Sequence, residues 1–227
     1  AKCTHIFGWG RDEILGSESL VIGRDASMLA RFKMPAGASS KYVTAYTQYA
    51  FTVAGLLPSC AVSQPKELSD NPASVREILF KDYGGVSYQS VLNFIVDRGV
   101  LVVALDDKGA FHGATWRVKG RNIIVLKQQS KYEARWAFDL LHEYFHAAQR
   151  PELEEFALVE LEETSPERRE DPEEIAANSF AASVLLGENY ESLISLCFKK
   201  AKGNIRFLKN AVQKVAEQYE VDIGILA

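Results

Sequence analysis

The 227-residue sequence predicts an α+β domain: two helices, a small β-sheet, a long helix, and then a C-terminal helical subdomain. Three observations carry this. Apolar residues recur at helical spacing over residues 74–99 and over most of 132–220. Between these stretches lie three short runs of strand character, "VLVVALD", "AFHGATWRV" and "IIVLK". The turns "DDKG" and "KGRN" separate those runs.

Each element follows from its local chemistry. Residues 1–40 read as irregular, and "KYVTAYTQYAFTVAGLLP" (41–58) as a helix stopped by Pro58. Residues 59–73 are rich in Ser, Pro and Asp and read as a linker. The chain therefore divides into an N-terminal helical or irregular extension (1–70) and a main domain (71–227), helical from about residue 173. In the main domain "SVRE", Ser74 to Glu77, reads as a capping box that opens a short helix ending at "YGG". "SYQSVLNFIVDRG" forms the next helix, from Ser87 to Gly99. After the strands, helices are expected over about 132–149, 173–186, 190–202 and 205–220. The closing "VDIGILA" reads as the start of a helix cut short, and the chain opens without Met, so the natural chain is expected to continue.

Composition narrows the class. Hydrophobic residues make up 47% and charged residues 25%, ordinary for a globular domain with a sizeable core. The net charge of −4 gives no whole-chain attraction to nucleic acid. Cys3, Cys60 and Cys197 are odd in number and scattered, with no CxxC. This argues against a disulfide framework or a cysteine metal site and for a reducing, cytoplasmic setting. "AYTQYAFTVAGLL" is too short to span a bilayer, and no signal-peptide pattern opens the chain, so no membrane partner is expected. Charge is uneven, however. Residues 152–174 hold eleven acidic residues and two arginines, a balance of −9. Residues 193–215 carry Lys199, Lys200, Lys202, Arg206, Lys209 and Lys214 and no acid. The acidic stretch reads as a loop, either merely solvated or receptive to a basic partner.

The stretch "FDLLHEYFHAAQR" (138–150) carries the chemistry. His142 and His146 are four apart, so on a helix both imidazoles face one side and can share an ion. Glu143 stands one position round, within reach of a water on that ion. This is the HExxH arrangement; a chance match in a chain of this composition has odds of roughly 1%, so the motif outweighs an idle pair of histidines. A catalytic zinc takes three protein ligands and leaves a position open. His5 lies in an irregular region, and His112 is a candidate on the middle strand. The best supply is "PEEIAANSFAASVLL", where Glu174 and Asn178 share a helix face with Ala177 and Ala181, whose small side chains permit close approach. Glu174 is preferred as ligand, with Asn178 bonding a ligand histidine from behind. Glu173 points about 100° away.

"ARWAFDLLHEYFHAAQ" followed by "EEIAANSFAASVLL" resembles the ImmA/IrrE family of metallo-endopeptidases, over about residues 74–190. The second motif matches the family pattern at Glu174, Ala177, Asn178, Phe180, Ala181 and Leu185. The resemblance implies a zincin-like fold, a metal on His142, His146 and Glu174, and Glu143 as catalytic base. It also implies a protein substrate, a DNA-binding repressor. Phe145 stands where many relatives have Gly, and Gly187 where many have Pro.

The expected mechanism is metal-assisted peptide hydrolysis, with zinc as default and manganese or iron as substitutes. Glu143 takes the proton of the attacking water and passes it to the leaving amine. His112 and Tyr144 are candidates for the oxyanion or a substrate contact. The middle strand can alternatively lend its edge to an extended substrate. The rival readings are a metal-holding module without hydrolysis and a DNA-binding regulator. For the latter, the helix pair 76–99 has a helix-turn-helix outline. Its second helix offers only Gln89, Asn93 and Arg98, so direct nucleic-acid binding is not expected.

Overall fold

The structure, a computed structural model, describes residues 64–105, 111–126, 130–154, 156–161 and 171–226, the strand Ala30–Phe32, and Asp12, Leu15, Gly16, Thr52 and Leu56. The helix expected over 41–58 lies outside these residues except at Thr52 and Leu56, which are both helical. Five strands form one sheet: β1 (Ala30–Phe32), β2 (Leu101–Ala104), β3 (Phe111–Val118), β4 (Arg121–Leu126) and β5 (Phe156–Leu161), in the order β1-β5-β3-β4-β2. Three of them are the strands expected from sequence.

β3 is the central strand. It pairs antiparallel with β4 through a two-residue turn at Lys119 and Gly120, whose φ values of 53° and 70° suit the twist of a tight hairpin. It also pairs antiparallel with β5, and β2 and β1 add on parallel to β4 and β5. Both edges of β3 are thus hydrogen-bonded. This overturns the expectation that the middle strand lends an edge to substrate.

β5 corrects a second expectation. The acidic stretch 152–174 is not a loop throughout, because "FALVEL" forms a strand within it. Five of those six residues are apolar, and a charge count over the whole stretch conceals them. At the far end Asp171 caps the next helix by accepting from the Glu173 N–H at 2.9 Å.

Seven helices are described: α1 (Pro72–Tyr83), α2 (Tyr88–Val96), α3 (Glu133–Ala148), α4 (Pro172–Leu186), α5 (Tyr190–Lys200), α6 (Ile205–Tyr219) and α7 (Ile223–Leu226). The start of α1 differs from the expected Ser74 box. Asn71 is the cap, its Oδ1 accepting from the Ser74 N–H at 3.1 Å, and Pro72 occupies the first turn, where its missing N–H costs nothing. Ser74 is already inside the helix. α2 starts as expected, with Ser87 and Ser90 capping each other.

α3 packs on β3 and β4 and against α2 and α4, so it lies between the sheet and the helical layer. The core there joins Val75 and Leu79 of α1, Phe94 and Ile95 of α2, Ile124 and Leu126 of β4, Leu140, Leu141 and Tyr144 of α3, and Phe180 and Val184 of α4. α4 approaches α3 through Ala177 and Ala181, both fully buried. Arg76 of α1 donates to the Val184 and Leu185 carbonyls at 2.5 and 2.9 Å, satisfying the open end of α4. A second, smaller core of Leu193, Cys197, Val212, Val215, Ala216 and Leu226 holds α5, α6 and α7 together.

Candidate metal centre

α3 carries the site because its buried face is not wholly apolar. His142, Glu143 and His146 are 6%, 1% and 0% exposed, respectively. Burying three ionisable groups on one helix is costly unless each has a partner. Their partners come from β3 and α4.

The two imidazoles converge. His142 Nε2 and His146 Nε2 stand 3.1 Å apart, and Glu174 Oε2 lies 3.5 Å from His142 Nε2. One ligand atom from each of His142, His146 and Glu174 lies within 4.8 Å of the others. Behind the rings, His142 Nδ1 is 3.1 Å from Asn178 Oδ1, and His146 Nδ1 is 3.4 Å from Glu173 Oε1. The Asn178 amide oxygen only accepts, so the His142 ring is set to carry its proton on Nδ1 and to aim a lone pair from Nε2. The Glu173 carboxylate, in ion-pair contact with His146 Nδ1, favours the same tautomer there. Two lone pairs at 3.1 Å beside a carboxylate repel unless a cation is shared between them. Bonds of about 2.0–2.1 Å in a tetrahedral site place ligand atoms about 3.3–3.4 Å apart, close to the spacing seen here. The two-histidine, one-carboxylate set therefore fits a divalent ion such as zinc.

Sequence reasoning missed four residues around this cluster. Thr115 of β3 is fully buried, and its hydroxyl lies 2.7 Å from Glu143 Oε2 and 3.1 Å from the Glu143 carbonyl. Gly113, two residues earlier, faces the same carboxylate. A Cβ there would overlap Glu143 Oε1 and stand 2.8 Å from Glu143 Cδ. A glycine inside a strand marks such close approaches, so "HGATW" held the signal. Arg150 grips Glu173 with two hydrogen bonds, of 3.0 and 2.8 Å. Contact with His146, and then with Arg150, holds the Glu173 carboxyl well below the usual carboxylate range, against the opposing effect of burial. Arg117, 4% exposed, donates to the carbonyls of Ala147, Arg150 and Leu153 at 2.7, 2.6 and 2.8 Å and so fastens the end of α3 to β3.

Two sequence candidates stand apart. Tyr144 is fully buried in the core, stacked on Phe180 and packed on Phe94, and its hydroxyl accepts from the Ser69 N–H at 3.1 Å. Two positions after His142 it points about 200° round the helix, away from the cluster, which rules it out as an oxyanion or substrate contact. Burial pushes its phenol up to about 12. The backbone of His112 lies at an irregularity in β3, where the register to β5 shifts between Phe111 and Gly113. Its side chain is outside the described atoms. Asn178 is exposed overall although its Oδ1 meets His142, so the cluster lies close to the surface.

A helix with two converging imidazoles, laid against a mixed sheet and completed by a carboxylate from the next helix, defines a domain with a group able to hold a metal ion. The family model of the IrrE N-terminal-like domain, peptidase M78, matches residues 97–227, and the chain belongs to that family. The match runs through α5, α6 and α7, beyond the stretch on which the sequence resemblance rests. No curated protein and no solved structure matches the chain.

Proposed function

We propose that the chain is a zinc-dependent cytoplasmic endopeptidase that cuts a protein substrate, a basic DNA-binding repressor. The convergence of His142, His146 and Glu174 beside the buried carboxylate of Glu143 carries this reading. His142 and His146 would hold the ion through Nε2 and Glu174 through a carboxylate oxygen. A bound zinc supplies Lewis acidity toward a water and the scissile carbonyl. Glu143 accepts the water's proton on its carboxylate and delivers it to the leaving amine. Thr115 and Gly113 fix where that carboxylate sits, and Asn178 fixes the His142 ring. Manganese or iron suits the same donor set.

The near-complete burial of Glu143 favours one rival, a metal-holding module in which Glu143 is structural. The two readings part in one experiment. The purified chain should contain about one equivalent of metal. Incubated with a small helix-turn-helix repressor encoded beside it, the metal-loaded chain should make a single cut. Glu143→Gln should keep fold and metal and make none. Undiminished cutting by that variant, or full metal content in His142→Ala, would overturn the assignment. Direct DNA reading by α2 has little support. Gln89 bonds to Asn93, and Arg98 stacks on Phe94 with its guanidinium carbon 3.5 Å from the ring centroid.

A further inference from the structure

The two imidazoles are held from behind by unlike groups. His142 meets a neutral amide, Asn178, whereas His146 meets a carboxylate, Glu173, which is itself gripped by Arg150. We propose that Glu173 and Arg150 form a positioning pair for His146, and that this pair makes His146 the stronger of the two imidazole donors to the metal. The inference rests on the metal-centre reading and deepens it.

Glu173 is excluded as a ligand by the side it takes. The Nε2 atoms of both rings face each other and Glu174, whereas Glu173 lies at His146 Nδ1, the opposite nitrogen. Consecutive residues on α4 point about 100° apart, so Glu173 and Glu174 can address the two sides of one imidazole from a single turn. That turn is fixed by Asp171, which caps Glu173.

Arg150 is placed with equal firmness. It follows α3 in a left-handed conformation, φ 52°, which a non-glycine residue adopts only when its surroundings impose it. Its carbonyl accepts from buried Arg117 at 2.6 Å. Its guanidinium then meets both oxygens of Glu173, the two-bond arrangement that fixes a carboxylate in plane and direction. The chain of contacts runs from β3, through Arg117 and Arg150, to Glu173 and His146. A carboxylate behind a metal-binding imidazole raises its basicity and fixes its tautomer more strongly than an amide does.

The test uses the full chain with zinc as the probe. Glu173→Gln at saturating zinc should keep one equivalent, while chelator competition shows affinity weakened roughly 10-fold or more. In the imidazole nitrogen NMR spectrum the His146 Nδ1–H resonance should move and the His142 resonance stay. Asn178→Ala should give the reverse pattern. Arg150→Gln should move the His146 resonance the same way, and Arg150→Lys should restore part of the effect. Should Glu173→Gln fail to fold, the two Arg150 variants decide. Unchanged affinity with an unmoved His146 resonance overturns the proposal. So does loss of stoichiometric zinc in Glu173→Gln with retention in Glu174→Gln, which would make Glu173 the ligand. Zinc binding without cleavage by the wild type overturns the peptidase reading alone. If the wild type takes no metal, the same His146 resonance in the metal-free chain still reports whether Glu173 sets the tautomer.

Discussion

Gly113 and Thr115 stand two residues apart on β3, and between them they define the space open to the Glu143 carboxylate. The glycine leaves room for one oxygen, and the threonine hydroxyl bonds the other at 2.7 Å. A hydrogen bond to a charged group contributes about 1.5–3 kcal/mol. If Thr115 acts by holding the base, Thr115→Val should lower kcat by roughly 10- to 100-fold, since about 1.4 kcal/mol is tenfold in rate. KM for a short peptide and zinc content should hardly change. Gly113→Ala should be worse, because the Cβ must displace the carboxylate itself. Steady-state kinetics with parallel metal analysis checks both. Wild-type turnover by Thr115→Val would show that Glu143 is placed by packing alone.

At the scale of elements, what the sequence discloses depends on how local the determining forces are. The extents of α3 and α4 were legible because the spacing of His142, His146, Glu174 and Asn178 is a property of one helix at a time. So was the hairpin at Lys119 and Gly120, whose turn chemistry is local. The partners β1 and β5, the interior position of β3 and the Arg117 fan were not legible, since each depends on contacts between residues far apart in sequence. Glu173 belongs with these: helical geometry says it points away from Glu174, but only the fold puts Arg150 in front of it.

The acidic stretch must now be judged with a strand inside it. It begins after α3 ends at Ala148 and returns at Asp171, the cap of α4, so it joins the two helices that carry His142, His146 and Glu174. Replacing Glu160, Glu162 and Glu163 with Gln tests whether its charge steers a basic substrate. Cleavage of a full-length basic repressor should slow at low salt and converge on wild type as salt rises, mainly through association rate. Hydrolysis of a short neutral peptide should be unaffected. Identical responses of the two substrates would reduce the stretch to a solvated connector.

At the scale of the whole molecule, no helix among the described residues is long and apolar enough to cross a membrane. The described residues form two cores of unequal size, and the helices α3 and α4 that carry His142, His146 and Glu174 belong to the larger. α5, α6 and α7 close over the smaller one, and a groove of about 540 Å³ lined by Arg76, Phe80, Leu185, Leu193 and Val221 lies between that layer and the rest. Elements that share few buried contacts open separately, at lower free energy than global unfolding. Cys197 is 4% exposed inside the smaller core, and burial raises its thiol pKa, so it reacts only when that layer opens. It is therefore a built-in clock. With Cys3 and Cys60 changed to Ser, the rate of thiol labelling at Cys197 should report the lifetime of the closed C-terminal layer. Leu193→Ala, at about 2 kcal/mol, should quicken that clock roughly 30-fold, while Leu140→Ala in the larger core should leave it nearly unchanged. Zinc should slow it only through α7, which packs on both α3 and α4, whereas α5 and α6 are held mainly by the smaller core. A chain that ticks in this way can open its C-terminal layer transiently while His142, His146 and Glu174 stay assembled on α3 and α4.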